Sequence, residues 1–205
     1  MKLAILAFGS LIDDPGEDLA PLIVEQRPGA ITPFNVEFAH ASLNRCGGPT
    51  LAPVERGGAP VEGVLLALRE GTSIEAATDF LYARETGRPG SGVQYRPDPA
   101  KPNQVYIERL PYFQDFDAVI YTRTIPNIEP LTAEELARRA IASVSSPAGA
   151  ANRDGIQYLI DAKRHGVETP LMSAYERKIL EMTGAQDLAA ARERIRTTAG
   201  AMAHA

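Results

Sequence analysis

Two short segments of this 205-residue chain combine residue types that could do chemistry. The first, Phe8-Gly9-Ser10-Leu11, closes an apolar run over residues 2–8. Glycine lets a chain turn sharply and lets a ligand come close to the backbone. Successive amide N–H groups in such a turn can form a nest for a free carboxylate or a developing oxyanion. Taken by itself, the tetrapeptide reads more readily as a plain strand-ending turn. The second segment delivers Glu85. The spacing of Ile74, Ala77 and Leu81 predicts a helix over residues 73–85 with Glu85 on its apolar face. Glu85 also falls in the last turn, where the helix dipole disfavours negative charge. Both circumstances work against the ionised form, which suits a general acid or base. An ion pair with Arg84, Arg88 or another arginine, or escape to solvent at the helix end, accounts for the position equally well.

Other candidates carry less. Arg45, in Ser42-Leu43-Asn44-Arg45, reads first as a surface residue and second as a bidentate grip on a substrate carboxylate. Tyr121 sits in a buried-looking strand, where its hydroxyl needs a partner, structural or substrate. Cys46, the single cysteine, lies beside two glycines and reads as a packed or incidental thiol rather than a nucleophile. With His40, His165 and His204 it makes no metal-ligand spacing, so no metal is expected. Asn152-Arg153-Asp154-Gly155 lacks the spaced ligands of a calcium loop and reads as a helix cap. Neither a phosphate-binding P-loop nor a Gly-x-Gly-x-x-Gly turn after the first strand is present.

The elements that must position these residues follow from periodicity. Strands are expected over residues 2–8, 31–43, 61–68, 105–110 and 118–122. In the second of these, Val36, Phe38 and His40 alternate with Asn35, Glu37 and Ala39, the pattern of a half-buried strand. Gly87 is placed to cap the helix that carries Glu85. From residue 131 helices take over. Thr132 to Glu135 forms a capping box, Thr169 and Pro170 open a later helix that ends at Gly184, and a last helix spans 187–196 before a frayed tail to Ala205. Strands separated by turns, followed by helices, predict an α+β fold with an antiparallel or mixed sheet rather than a doubly wound one. The expected organisation is a domain over residues 1–125 with a helical extension over 126–205 packed on it.

Bulk properties narrow the partners. Hydrophobic residues make up 44% and charged residues 23%, enough to bury a sizeable core. A net charge of −5 without a dense basic patch argues against nucleic acid. No apolar run approaches the length that spans a bilayer, so no membrane role is expected. A single cysteine fits a reducing, cytoplasmic compartment.

Taken together, Phe8-Gly9-Ser10-Leu11 and Tyr82-Ala83-Arg84-Glu85 resemble the two site segments of the γ-glutamylcyclotransferase-like superfamily, including its ChaC and plant avirulence-induced branches. The stretch Val61-Glu62-Gly63-Val64-Leu65-Leu66-Ala67-Leu68 resembles the strand before that family's catalytic helix. The resemblance covers residues 2–125. It implies a small β-barrel with flanking helices and a cavity at its mouth. It also implies cleavage of a γ-glutamyl amide by its own α-amine, releasing 5-oxoproline, with no cofactor. Glu85 would be the general acid and base. Phe8, Gly9, Ser10 and Leu11 would hold the substrate, helped by Arg45 and Tyr121. One departure is Phe8, where the family has tyrosine; the missing hydroxyl implies a different substrate or weaker activity. The alternatives are a non-catalytic member that binds a small metabolite or a protein, and an unrelated α+β domain.

Overall fold

The apolar run at the start of the chain becomes a fully buried strand. The computed structural model describes residues 1–101 and 104–203, and only the backbone of 199–203. Within it, strands run in the order β1 (Leu3–Ala7), β2 (Ile23–Ile31), β3 (Val36–Ser42), β4 (Gly48–Pro53), β5 (Glu62–Leu68), β6 (Tyr106–Pro111) and β7 (Ala118–Arg123). Helix α1 (Ile74–Glu85) lies between β5 and β6. The helices after β7 are α2 (Ala133–Val144), α3 (Pro147–Ala150), α4 (Gly155–Arg164), α5 (Met172–Thr183) and α6 (Leu188–Ala203). The α+β class expected from the sequence is what the chain adopts.

The residues group into two compact units. The first holds residues 1–33 and 61–125, the second residues 34–60 and 126–205. Residues 34–60 group with the C-terminal helices rather than with the N-terminal strands.

In the first unit, five strands form one mixed sheet in the order β2-β5-β1-β7-β6. β1 runs antiparallel to β5 and parallel to β7, and the outer pairs are antiparallel. The sheet is an open row. Among the described residues β2 and β6 do not pair, so no closed barrel of the kind the resemblance implies is found there. Leu3 and Ile5, Leu66 and Leu68, and Ala118 and Ile120 alternate along their strands and bury against Ala77 and Leu81 of α1. Burial of a leucine side chain such as Leu81 contributes roughly 2 kcal/mol. β2 escaped sequence reasoning because it is an edge strand, largely exposed, that tolerates Pro28 and Gly29 at a bulge.

In the second unit, β3 and β4 pair as a two-stranded sheet. The half-buried alternation expected at 35–40 does not hold, since Val36 to His40 are all buried. Glu37 is fully buried and accepts hydrogen bonds from the Thr169 hydroxyl at 2.6 Å and the Leu171 amide at 3.0 Å. Thr169 therefore does not cap α5, which begins two residues later than expected, after Leu171. Thr132 does cap α2, and Gly184, at φ 63°, does end α5. The last helix runs on to Ala203 instead of stopping at 196. The frayed tail expected after residue 196 is thus helical as far as Ala203, and residues 204 and 205 lie outside the described residues.

Candidate functional site

Helix α1 is fixed at both ends. Ser73 caps its start by accepting from the Ala76 amide at 3.1 Å. At its finish the Gly87 amide donates to the Arg84 carbonyl and the Arg88 amide to the Ala83 carbonyl. That pair of bonds, with Gly87 at φ 67°, is a Schellman cap. It stops the helix with Glu85 as its last residue, one turn beyond fully buried Leu81 and two beyond fully buried Ala77. The Glu85 side chain is 18% exposed, so it is neither locked in the core nor free in solvent.

The tetrapeptide after β1 forms a tight turn. Ile12 donates to the Gly9 carbonyl and Asp14 to the Ser10 carbonyl, both at 3.0 Å. The amides that lead the turn are left over, as at the start of any helical turn. Among the described residues, those of Gly9, Ser10 and Leu11 have no backbone or side-chain acceptor. The side chains of Phe8 and Leu11 are buried, so what this segment offers a ligand is backbone and the Ser10 hydroxyl.

Arg84 joins the two segments. Its Nη1 donates to Glu85 Oε1 at 2.7 Å, its Nη2 to Ser10 Oγ at 3.3 Å and its Nε to the Asp14 carbonyl at 2.9 Å. Ser10 and Glu85, far apart in sequence, thus share one guanidinium. Gly16 makes room for it: at φ 80°, a Cβ there would sit 2.9 Å from Arg84 Cγ. Sequence reasoning had Arg84 only as an ion-pair partner for Glu85, a pairing the structure realises. Its bonds to the turn had no sequence signal, because adjacent helix residues face different ways and the turn lies some seventy residues back.

The other expected contributors are elsewhere. β7 turns Ile120 toward α1, so Tyr121 faces the opposite side of the sheet, across from Glu108 on β6. Burial, and then the Glu108 carboxylate, raise its phenol above the ordinary value, with Arg123 pulling the other way. Tyr121 is not brought to Glu85. Arg45 belongs to the second unit, where it donates to the Arg153 carbonyl at 2.9 Å and stacks over the Tyr158 ring at 4.5 Å. These contacts give it a structural role. Asp154 caps α4 through the Gln157 amide at 2.9 Å, as read from the sequence. A pocket of about 330 Å³ in the first unit lies beside Ile74, Thr78, Asp79 and Tyr95, along the opening turns of α1 rather than at Glu85.

Cys46 is exposed, with φ 50°. The neighbouring Ser146 side chain, then the Ala148 backbone and the charge of Arg153, hold its thiol below the ordinary value despite partial desolvation. Removing the leading cause by Ser146→Ala disfavours the thiolate. The midpoint of iodoacetamide alkylation against pH is therefore expected to move to higher pH, and an unmoved midpoint would deny Ser146 that part.

Among the described residues no group of three or more His, Cys, Asp or Glu is arranged to hold a metal ion, and no helix is long and apolar enough to cross a membrane. Compared with protein-family models and with curated proteins, the chain matches none.

Proposed function

We propose that the protein is a γ-glutamylcyclotransferase-type enzyme that cleaves a γ-glutamyl amide and releases 5-oxoproline. The observation that carries this reading is the meeting of the Ser10 turn and Glu85 at the Arg84 guanidinium. Those are the two segments on which the resemblance to the superfamily rests. The reading depends on the site and not on a closed barrel, since fold alone does not assign function.

In this scheme the α-nitrogen of the glutamyl group attacks its own γ-carbonyl carbon. Its ammonium form first loses a proton to solvent. As the new N–C bond forms, Glu85 takes a second proton from the nitrogen. Glu85 then returns it to the leaving nitrogen as the old amide bond breaks, and the released amine takes one more from solvent. Two protons leave one nitrogen and two reach the other, so the reaction consumes no water and no cofactor. Holding the two ends of one molecule for a five-membered ring closure supplies much of the rate. In the same scheme the free amides of the Ser10 turn hold the glutamyl group and stabilise charge on the carbonyl oxygen. The single cysteine supports a reducing, cytoplasmic compartment for this activity.

A panel of γ-glutamyl dipeptides, γ-glutamyl amines and glutathione tests the reading, with 5-oxoproline detected by mass spectrometry. Product from at least one compound is expected. Its absence across the panel, from folded protein, favours a binding protein instead, the reading that the missing hydroxyl at Phe8 supports. Gly9→Val puts a branched side chain where substrate meets backbone. It is expected to raise KM about tenfold or more, the worth of one lost charge-assisted hydrogen bond. An unchanged KM would take the turn out of the site.

A further inference from the structure

Arg84 has more donors than its partners use. A guanidinium carries five N–H groups. Three are committed: Nε to the Asp14 carbonyl, one of Nη1 to Glu85 and one of Nη2 to Ser10. Among the described residues the second N–H of each terminal nitrogen has no acceptor. The side chain is only 14% exposed, so water compensates these donors incompletely. The two terminal nitrogens are the atoms with which arginine grips a carboxylate in bidentate fashion.

Charge points the same way. Arg84 and Glu85 are in contact at 2.7 Å and together carry no net charge. A ligand complementary to both brings an anion for the guanidinium and, a few ångströms away, a cation for the carboxylate. The zwitterionic head group of a free α-amino acid is the smallest common chemistry that does so. A capped or amidated head group offers only half of it.

We infer that Arg84 is the specificity-determining residue of the site and receives the substrate's α-carboxylate, while Glu85 faces the α-ammonium group. This rests on the cyclotransferase reading for the rest of the substrate. It narrows the substrate class to γ-glutamyl compounds whose α-amino and α-carboxyl groups are both free. The arrangement also explains why a residue beside the general base is tied to the Ser10 turn. A carboxylate held at Arg84 fixes the attacking α-nitrogen against Glu85 and lays the rest of the glutamyl chain along the turn's amides.

The test uses two probes that differ only at the α-carboxyl and that carry no γ-amide to be cyclised with an amine leaving group: L-glutamate and its α-carboxamide, L-isoglutamine. Binding to the wild-type protein, Arg84→Met and Arg84→Lys is measured by calorimetry, with folding checked by circular dichroism. The wild type is expected to bind L-glutamate at least tenfold more tightly than L-isoglutamine. Arg84→Met should erase that ratio by losing glutamate affinity alone, and Arg84→Lys should restore part of it. A wild-type ratio near one, no binding of either probe, or equal loss for both probes in Arg84→Met overturns the assignment; the last would mark Arg84 as structural. The two readings fail separately. Head-group discrimination without 5-oxoproline from any γ-glutamyl compound leaves this inference standing and sinks the cyclotransferase. Turnover without discrimination does the reverse.

Discussion

Glu85→Gln is expected to cut 5-oxoproline release by about 10²–10⁴-fold, the usual contribution of a positioned general acid or base, while leaving the protein folded. The substitution is nearly isosteric and removes only the capacity to take and return a proton. Arg84 keeps its bonds to Ser10 and to the Asp14 carbonyl, and the new amide oxygen can still accept from Nη1. The helix end is held by Gly87 and Arg88 backbone bonds that do not involve the Glu85 side chain. The stability loss should therefore stay near about 1–2 kcal/mol, the worth of one charge-assisted hydrogen bond. Turnover assays beside thermal melts separate the outcomes. Full turnover by the variant ends the general-base role. Collapse of the fold along with activity assigns the Arg84–Glu85 contact to structure alone.

The largest stability effect is expected in the second unit, at Asp154. Its side chain is fully buried, caps α4, and holds Arg192 of α6 at 2.7 Å from Nη2 and 3.1 Å from Nε. Arg192 is itself only 12% exposed. Asp154→Ala leaves that guanidinium with only the neutral side-chain oxygens of Gln157 and Asn152 as acceptors and no counter-charge, and strips the first turn of α4 of its cap. Breaking one side of a buried pair costs about 3–5 kcal/mol, most of it the stranded charge. For a protein of this size that moves a urea midpoint down by about 2 M. Asp154→Asn should recover the cap, worth about 1 kcal/mol, but not the charge. A shift under about 0.5 M for the alanine variant would mean that Arg192 finds water or another acceptor once Asp154 is gone.

How far the site was legible depends on how local its causes are. Glu85 at the end of an apolar helix face follows from the spacing of Ile74, Ala77 and Leu81, and the cap at Gly87 follows from glycine's access to positive φ. The turn after β1 follows from an apolar run meeting Gly9 and Ser10. Each depends on residues within a turn or two of one another. Tyr121 and Arg45 were harder to read for a different reason. A strand residue's chemistry depends on which face of the sheet it takes, and Tyr121 takes the face away from α1. Arg45 depends on which unit its segment joins, and residues 34–60 join the helices. Glu37 shows the same limit: a charged residue in an alternating pattern reads as solvent-facing, yet Thr169 and Leu171 satisfy it in the core.

Local sequence was enough for the α+β class, for the helix that ends at Glu85 and for the turn after β1. Periodicity, caps and turn residues act over a few positions, where the backbone's own geometry decides the outcome. Only the tertiary structure decided that the sheet stays open, that β2 and β4 exist as strands, and that Arg84 ties Glu85 to Ser10. Strand pairing and a shared guanidinium are contacts between residues tens of positions apart. Which partners meet is settled by how apolar faces bury against one another, and no local pattern encodes that.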